Sequence, residues 1–401
     1  MDLTGRDIVC IASSSWDSMW VNSQHLMSRL ARANRVLYVN NTGLRMPGPS
    51  AADLRKIGQR LRNFSRGVRQ PQENLHLVSP IVVPLHGVRA VERLNGEILA
   101  RYLRRHLRKL GMARPVLWIF LPTGLGLLGR LDESLVVYHC VDKYSENPGV
   151  SAERIREMEA ELCRRADLVL VTSSALYEEQ RGFNPQTRYF GNVANVAHFA
   201  KALEDGGAPP ADLAGIARPI LGYQGNIASY KIDLGLLEYL ARQRPQWSLV
   251  LVGPVGWGDP TTDVSRLRGL PNVHFLDRKD YQDLPRYVRA FDVCLIPFVE
   301  SDSTQSSFPM KFFEYLAVGK PVVSRRIRSL EPLGRDPRIC RLADGPEEFL
   351  ARVEDSLAEP QTAEIVERRL ALARQNDWES RSAEIGRVVG ERLAAREGRC
   401  G

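Results

Sequence analysis

The chain alternates between short apolar runs and longer segments in which apolar residues recur every three or four positions. The short runs are rich in β-branched residues, and in the first half they predict strands over 7–12, 35–40, 75–80, 116–121, 135–141 and 168–173. The longer segments between them, such as 21–33, 91–110 and 152–166, have the periodicity of helices. Strands that alternate with helices predict βαβ units and a parallel sheet that is covered on both faces.

Residues 201–219 interrupt this pattern with a pair of adjacent glycines and three prolines, and we interpret them as a linker. A second alternation of strands and helices follows. The sequence therefore predicts an N-terminal domain over 1–200, a C-terminal domain over 220–375, and a last helix within 376–401 that packs back on the N-terminal domain. The expected fold class is α/β, with two Rossmann-like doubly wound domains facing a central cleft, because ligands bind beyond the carboxyl ends of such strands.

The composition is that of a globular protein: the 401 residues are 44% hydrophobic and 25% charged. The longest uncharged stretch, 115–129, is too short to span a bilayer, and the polar residues near the N-terminus argue against a signal peptide. The six cysteines are far apart in sequence, which favours neither a zinc site nor a disulfide framework. We expect a cytoplasmic protein that contains no metal site and no resident cofactor.

Positive charge is concentrated in the first half of the chain. Residues 1–200 hold 27 Lys and Arg against 18 Asp and Glu, whereas residues 201–401 hold 28 against 29. Within 53–69, six basic residues accompany an apolar stripe at helical spacing. This pattern is typical of helices that bind an anionic membrane surface, and we expect peripheral binding to the inner membrane face. The alternative is a solvated charged face; nucleic-acid binding is not expected, because no known motif for it accompanies the charge.

The segment 306–324, SSFPMKFFEYLAVGKPVVS, carries the clearest chemical pattern. Pro309 suits the first turn of a helix, and Gly319 suits the position after its last turn. Backbone amides at that helix start can bind a phosphate, and Lys311 adds a positive charge. Glu314, one turn later, can accept hydrogen bonds from sugar hydroxyls, as carboxylates do in nucleotide sites. The alternative is an amphipathic helix on which Lys311 and Glu314 form an exposed ion pair.

Together with residues 220–233, this segment resembles the GT-B-fold nucleotide-sugar glycosyltransferases, especially the bacterial group 1 or family-4-like set. In that family two glutamates are separated by seven residues and followed by a pattern that 317–322 matches. Glu314 matches the second glutamate, which holds the nucleotide ribose, whereas Ser306 replaces the first, which is associated with the transferred sugar. The variant resembles a branch that works on cell-surface polysaccharides. The resemblance implies donor-binding residues at Ser307, Phe308, Pro309, Met310, Lys311 and Glu314.

The same family has a phosphate-binding loop after the first strand of its C-terminal domain. Gly225 and Lys231 match the glycine and the lysine of that loop, but Asn226 stands where the family has an arginine. Lys311 could restore the missing charge, and fixed cations stabilise a diphosphate leaving group without a metal. The resemblance also implies that Gly253 and Arg278 contact the donor, since the loops that contain them flank the nucleobase in the family.

In the N-terminal half, the predicted strand 135–141 is followed by ionisable residues. Groups at a strand's carboxyl end that face a cleft are reasonable acid and base candidates, and we single out Asp142 and His139. The resemblance implies that His139 touches the transferred sugar, although Cys140 replaces the acid that follows this histidine in the family. The alternative is a buried histidine and a capping aspartate. The loop and helix start over 13–25 could line the acceptor side through Trp16, Asp17 and His25.

We therefore expect a metal-independent, hexosyltransferase-type enzyme. Its donor would be a nucleoside-diphosphate sugar, with UDP favoured over GDP, and its acceptor a saccharide or lipid-linked molecule in cell-surface polysaccharide or glycoconjugate synthesis. Two alternatives stay open. One is a GT-B-fold sugar-nucleotide epimerase or hydrolase, against which the basic amphipathic segments argue. The other is a non-catalytic partner protein of the same fold, which the missing first glutamate would allow.

Overall fold

The computed structural model describes residues 2–18, 20–41, 58, 62, 64, 67–82, 89–147, 149–204, 208–305 and 307–400, the last two of these without their side chains. Contacts within the chain divide it into two compact units. Unit 1 comprises residues 1–191 and 381–401, and unit 2 comprises residues 192–380.

Unit 1 is built on one sheet, which has eight strands within the described residues. The strands are β1 (Asp7–Ile11), β2 (Arg35–Val39), β3 (Arg69–Gln72), β4 (Leu75–Val78), β5 (Val116–Ile119), β6 (Leu135–Cys140), β7 (Leu168–Val171) and β8 (Thr187–Tyr189). Their order is β3-β4-β2-β1-β5-β6-β7-β8, and the described pairs are parallel except for the antiparallel pair β3–β4. Helices connect the parallel strands: α1 (Asn22–Leu30), α2 (Arg89–Lys109), α3 (Ala152–Arg165) and α4 (Ser174–Gln180).

Unit 2 contains a second parallel sheet with six described strands. These are β9 (Ile220–Gln224), β10 (Ser248–Val252), β11 (Val273–Phe275), β12 (Val293–Ile296), β13 (Val322–Arg325) and β14 (Cys340–Ala343). The helices are α5 (Val196–Glu204), α6 (Leu234–Gln243), α7 (Ser265–Arg268), α8 (Leu284–Ala290), α9 (Asp302–Gln305), α10 (Lys311–Leu316), α11 (Pro346–Ala358) and α12 (Ala363–Arg374). The strand order β11-β10-β9-β12-β13-β14 reverses direction between β9 and β12, as in dinucleotide-binding folds.

The prediction of two doubly wound parallel sheets is confirmed. Central strands such as β5, β7, β10 and β12 are buried at every position, because helices cover both faces of each sheet. Cys10, Cys140 and Cys294 are buried in this apolar interior.

The last helix, α13 (Trp378–Cys400), contributes residues 381–400 to unit 1. Ile385, Val389 and Leu393 are buried and recur every fourth residue, so they form one apolar stripe. Polar contacts fix its C-terminal half, since the Nε of Arg392 donates to the carbonyl of Asp167 at 3.0 Å. A further ion pair, 2.9 Å long, joins Arg6 to Glu397.

The structure contains elements that the apolar pattern does not predict. Strand β8 has three residues and β3 contains Pro71, so neither forms a recognisable β-branched run. Helix α5 extends to residue 204 and therefore includes the first four residues of the predicted linker, 201–219. Leu213, also within that segment, is buried in the core of unit 2. Glycine and proline content alone thus does not reveal that part of this segment packs on the domain.

Candidate functional site

In unit 2, the reversal of strand order puts the carboxyl ends of β9 and β12 beside each other, with Cys294 paired to Gly222. Ligands of open α/β sheets bind at such a point, because the loops that follow the two strands lead away in opposite directions. The loop after β9 contains Gly225 and Lys231, and the loop after β12 contains Phe298. Most of the donor residues predicted from the sequence lie at this point of the sheet.

Two glycines allow the loops after β9 and β10 to approach each other. Gly225 and Gly253 have φ angles of 139° and 144°, which side chains rarely tolerate. A Cβ on Gly253 would lie 2.0 Å from the carbonyl oxygen of Gly225, and a Cβ on Gly225 would lie 3.2 Å from Nζ of Lys311. Both glycines are therefore required by close packing at the carboxyl edge of the sheet.

Two lysines lie against the aromatic ring of Phe298. Nζ of Lys231 and Nζ of Lys311 each lie 5.1 Å from the centre of that ring, and Nζ of Lys311 lies 5.0 Å from the centre of the Tyr223 ring. Burial lowers the pKa of the Lys311 ammonium, and the positive charge of Lys231 lowers it further. Two ammonium groups brought together in this way favour an anion that lies between them.

Glu314 lies one turn along α10 from Lys311 and is 8% exposed. The side-chain amide of Gln224, the last residue of β9, donates a hydrogen bond to Oε2 of Glu314. Burial raises the pKa of the Glu314 carboxyl, whereas Lys311 and the bond from Gln224 act in the opposite direction. The expected alternative of an exposed ion pair is wrong for Glu314, because this carboxylate is buried against β9.

The segment before α10 is packed closely. Phe308 and Pro309 are buried, and Met310 is half-buried. The hydroxyl of Ser307 donates to the carbonyl of Thr304 at 3.0 Å, and the side-chain amide of Asn192 donates to the carbonyl of Phe308 at 3.0 Å. Ser306 lies outside the described residues. Helix α10 has only six residues, so Lys311 and Glu314 rather than a helix dipole supply the charge here.

The side chains of Asn226 and Arg278 have other surroundings than Lys231 and Lys311. The side-chain amide of Asn226 donates to the carbonyl of Trp257 at 2.7 Å, which ties the loop after β9 to the loop after β10. Arg278 is exposed and follows β11, an outer strand separated from β9 by β10. Arg278 is therefore at the same edge of the sheet as the lysines but two strands away from β9.

The sequence reasoning missed Tyr223, Gln224 and Phe298. All three contact the charged residues of this site, yet in the sequence they look like ordinary positions in or beside apolar strands. The strand order could have identified them, because it determines which strand ends lie beside the lysines.

In unit 1, His139 and Asp142 differ in their access to solvent. His139 is 2% exposed, and its ring stacks on Phe120 with ring centres 4.8 Å apart. Burial lowers the pKa of its imidazole to about 3, so the ring is neutral at physiological pH. Asp142, beyond the end of β6, is half-buried, and its Oδ1 accepts a hydrogen bond from the amide of Lys143 at 3.0 Å. Of the two, Asp142 is the side chain that a substrate can reach.

Trp16, Asp17 and His25 are not one open surface. Trp16 and His25 are buried, and each lies 5.2 Å from Trp20 between ring centres, so Trp20 joins them in an aromatic cluster. Asp17 is exposed and forms an ion pair with Arg69 at 2.6 Å. Trp16 and His25 therefore lie in one cluster, whereas Asp17 contacts Arg69 of β3.

Within the described residues, no group of three or more His, Cys, Asp or Glu side chains could hold a metal ion. The helices of the described part of the chain include none that is long and apolar enough to cross a membrane. Most of the basic stripe at 53–69 lies outside the described residues.

Known proteins resemble this chain in sequence and in fold. Residues 218–359 match the model of the family described as "Glycosyl transferases group 1". A putative teichuronic acid biosynthesis glycosyltransferase, TuaH of Bacillus subtilis (strain 168), is 28% identical over 290 residues, which are 69% of this chain and 72% of that protein.

The solved structures that match nearly the whole chain include the following two. Sucrose-phosphate synthase from Thermosynechococcus elongatus has a TM-score of 0.69 at 19% identity, covering 97% of this chain and 100% of its own. Anabaena HepE in complex with UDP has a TM-score of 0.68 at 16% identity, covering 96% and 100%. The latter protein has also been solved in complex with UDP-glucose.

Proposed function

We propose, from the premise that this chain is a glycosyltransferase of the group 1 type with the GT-B fold, that its donor is a nucleoside-diphosphate sugar, with UDP preferred over GDP. The acceptor is a saccharide or a lipid-linked molecule, and the product belongs to a cell-surface polysaccharide or glycoconjugate. The relative from Bacillus subtilis, whose name places it in teichuronic acid synthesis, supports this acceptor class. The complexes of the Anabaena protein with UDP and UDP-glucose support the donor.

The observation that carries the proposal is the group of Lys231, Lys311 and Glu314 where strand order reverses. The two ammonium groups are close enough to share Phe298, and they match the charge of a diphosphate. The Glu314 carboxylate has one oxygen engaged by Gln224 and would accept a hydrogen bond from a ribose hydroxyl with the other. One site would thus hold the diphosphate and the ribose of a single nucleotide.

The same residues account for the proposed bond cleavage. When the bond from the anomeric carbon to the diphosphate oxygen breaks, both electrons of that bond stay on the diphosphate. Lys231 and Lys311 would stabilise this developing charge, and because they are fixed before reaction, little reorganisation is required. The acceptor hydroxyl attacks the anomeric carbon, and Asp142 would take its proton as general base. In this scheme the two lysines supply the positive charge at the leaving group.

A panel of nucleotides tested by thermal unfolding examines the donor assignment. A ligand that binds only the folded protein adds about 2.7 kcal/mol of stability at 100 times its Kd. We expect UDP and UDP-sugars to raise Tm, GDP to raise it less, and uridine to raise it least, since uridine has no phosphate. If none of the nucleoside diphosphates raises Tm at millimolar concentration, the donor assignment is wrong. If GDP raises Tm more than UDP, the base preference is wrong but the donor class stands.

Membrane binding belongs to the same proposal and is supported by the outer face of α2. Arg101, Arg104 and Arg108 are exposed there, and Leu94 and Ile98 are 53% and 40% exposed. Each basic residue near an anionic surface contributes ~1 kcal/mol, and salt screens this attraction. We expect the protein to bind vesicles that contain phosphatidylglycerol at low salt and to dissociate as salt rises.

Charge reversal at Arg60, Arg62 and Arg66 to Glu should release the protein from these vesicles in a flotation assay. A matched control reverses three exposed arginines of unit 2, Arg268, Arg328 and Arg338, and should leave binding near that of the wild type. Wild-type protein that does not float with anionic vesicles at low salt would disprove the membrane proposal. Equal loss of vesicle binding in both variants would show that net charge, rather than the basic segment 53–69, drives binding.

A further inference from the structure

The loop that follows β10 is joined to the loop that follows β9 along its backbone. Ile227 and Val255 form a parallel bridge, in which the amide of Ile227 donates to the carbonyl of Pro254 at 2.9 Å. The amide of Gly256 donates in turn to the carbonyl of Ile227 at 2.8 Å. These bonds extend the pairing of β9 and β10 beyond Gly225 and Gly253, so the two loops form one structure at the carboxyl edge of the sheet.

Asp259, in the loop that follows β10, accepts hydrogen bonds from both loops through its two carboxylate oxygens. Oδ1 accepts from the hydroxyl of Thr261 at 2.6 Å and from its amide at 3.2 Å. Oδ2 accepts from the hydroxyl of Ser229 at 2.7 Å and from the hydroxyl of Thr262 at 2.8 Å. These hydrogen bonds, from Thr261, Ser229 and Thr262, hold the pKa of the Asp259 carboxyl well below its usual range, so the carboxylate is ionised at neutral pH.

Thr262 links Asp259 to the backbone of the loop that follows β9. Its hydroxyl oxygen accepts a hydrogen bond from the amide of Ser229 at 3.0 Å while its proton is donated to Asp259. The carboxylate therefore fixes the direction of the Thr262 hydroxyl, and that hydroxyl holds the Ser229 backbone. Both the side chain and the backbone of Ser229 depend on Asp259.

Ser229 belongs to the turn that presents Lys231. The amide of Lys231 donates to the carbonyl of Ala228 at 3.0 Å, and the carbonyl of Lys231 accepts from the amide of Val299 at 2.9 Å. Val299 follows Phe298, whose ring lies under the lysine. The turn 228–231 is thus held by Asp259 and Thr262 on one side and by the loop after β12 on the other.

We propose that Asp259 is a positioning residue of the donor site: it locks the turn 228–231 so that Lys231 is directed at the diphosphate of the donor. The proposal rests on the proposed function, because it takes Lys231 as a diphosphate ligand. Asp259 itself touches no substrate in this scheme. Its effect on binding is the pre-organisation of a lysine that would otherwise lose conformational freedom when the donor binds.

Asp259→Asn tests this role because it keeps the shape of the side chain but replaces one acceptor oxygen by an amide nitrogen, which donates. The hydroxyls of Ser229 and Thr262 both donate to Oδ2 of Asp259, and they would lose this acceptor if the amide nitrogen of the asparagine took its place. We expect the Kd for UDP, measured by calorimetry, to rise roughly 3- to 30-fold, and the Kd for uridine to stay unchanged. The control is Asp263→Asn, since Asp263 lies in the same loop but is exposed and accepts from the amide of Ser265.

A double-mutant cycle separates positioning from a merely structural effect. If Asp259 acts through Lys231, Asp259→Asn should weaken UDP binding in the wild type but not in Lys231→Ala. Equal losses in both backgrounds, or an equal loss for uridine, would overturn the proposal. If Lys231→Ala alone leaves UDP affinity unchanged, the assignment of Lys231 to the diphosphate is wrong, and the positioning role of Asp259 fails with it.

Hydrogen exchange tests the lock itself without any ligand. We expect the Ser229 amide to exchange faster in Asp259→Asn and in Thr262→Val, which removes its acceptor while keeping the size of the side chain, but not in Asp263→Asn. Unchanged exchange at Ser229 in the first two variants would overturn the lock, whatever the outcome with UDP. Should Asp259→Asn fail to fold, Thr262→Val carries both the exchange and the binding measurements, with the same expected direction.

Discussion

Asp142→Asn should lower turnover by about 10²- to 10⁴-fold, the usual contribution of a positioned general base, while donor affinity stays near that of the wild type. Asparagine keeps the shape of the side chain and its hydrogen bond from the amide of Lys143, but it cannot accept the proton of the acceptor hydroxyl. The measurement is the kcat for UDP release, with the UDP-sugar identified by the thermal panel, together with the Kd for UDP.

The structure favours Asp142 over His139 for this role. His139 is buried against Phe120 and is neutral, so it would have to be uncovered before it could reach an acceptor hydroxyl. The control is Glu146→Gln, because Glu146 lies in the same loop and forms a 3.1 Å ion pair with Lys143. We expect this variant to turn over at close to the wild-type rate. A near-wild-type rate for Asp142→Asn would remove Asp142 as the base.

The stereochemical outcome bears on the same residue. Ser306, which stands where the family has its first glutamate, offers no charge to a developing oxocarbenium ion. An inverting enzyme needs a general base, whereas a retaining enzyme would require another carboxylate beside the transferred sugar. NMR of the product gives the anomeric configuration directly. Inversion together with a slow Asp142→Asn would agree with the proposed base, and retention would argue for a different role of Asp142.

The sheets were predictable because their signal is local. A run such as LVLV in β7 is apolar at every position, which is typical of a strand that is covered on both faces. Helix α5 lacks an equally clear signal, because glycines and prolines follow it closely in the sequence. Its burial depends on a long-range contact, such as the one between His198 and Tyr281, whose rings stack 4.4 Å apart.

The charged residues of the candidate site were predictable, but their partners were not. Lys231 and Glu314 stand out because they match motifs of the resembled family, and Lys311 because it follows Pro309 at the start of a predicted helix. The role of Gln224 can be assigned only once β9 is known to lie beside α10. Asp259 lies in a stretch that resembles an ordinary turn, and its role can be assigned only once its loop is known to contact Ser229. Both assignments depend on which loops meet at the carboxyl edge of the sheet, and local periodicity carries no information about that.

Lys231→Ala and Glu314→Gln should weaken donor binding in two distinguishable ways. Loss of one charge-assisted contact costs about 1.5–3 kcal/mol, or roughly 10- to 150-fold in affinity. Lys231 is assigned to the diphosphate, so its loss should raise the Kd for UDP and leave that for uridine unchanged. Glu314 is assigned to the ribose, so Glu314→Gln should raise both values. Calorimetry with UDP and with uridine gives the Kd values of both variants for both ligands.

Both variants should stay folded, because Lys231 is half-buried in a turn and glutamine fits the space of Glu314 next to Gln224. The control is Lys201→Ala, an exposed lysine on α5, which changes the net charge of unit 2 by the same amount as Lys231→Ala. If Lys201→Ala weakens UDP binding as much as Lys231→Ala, the effect is one of general charge. If neither Lys231→Ala nor Glu314→Gln changes the Kd for UDP, the nucleotide does not bind where the strand order of unit 2 reverses.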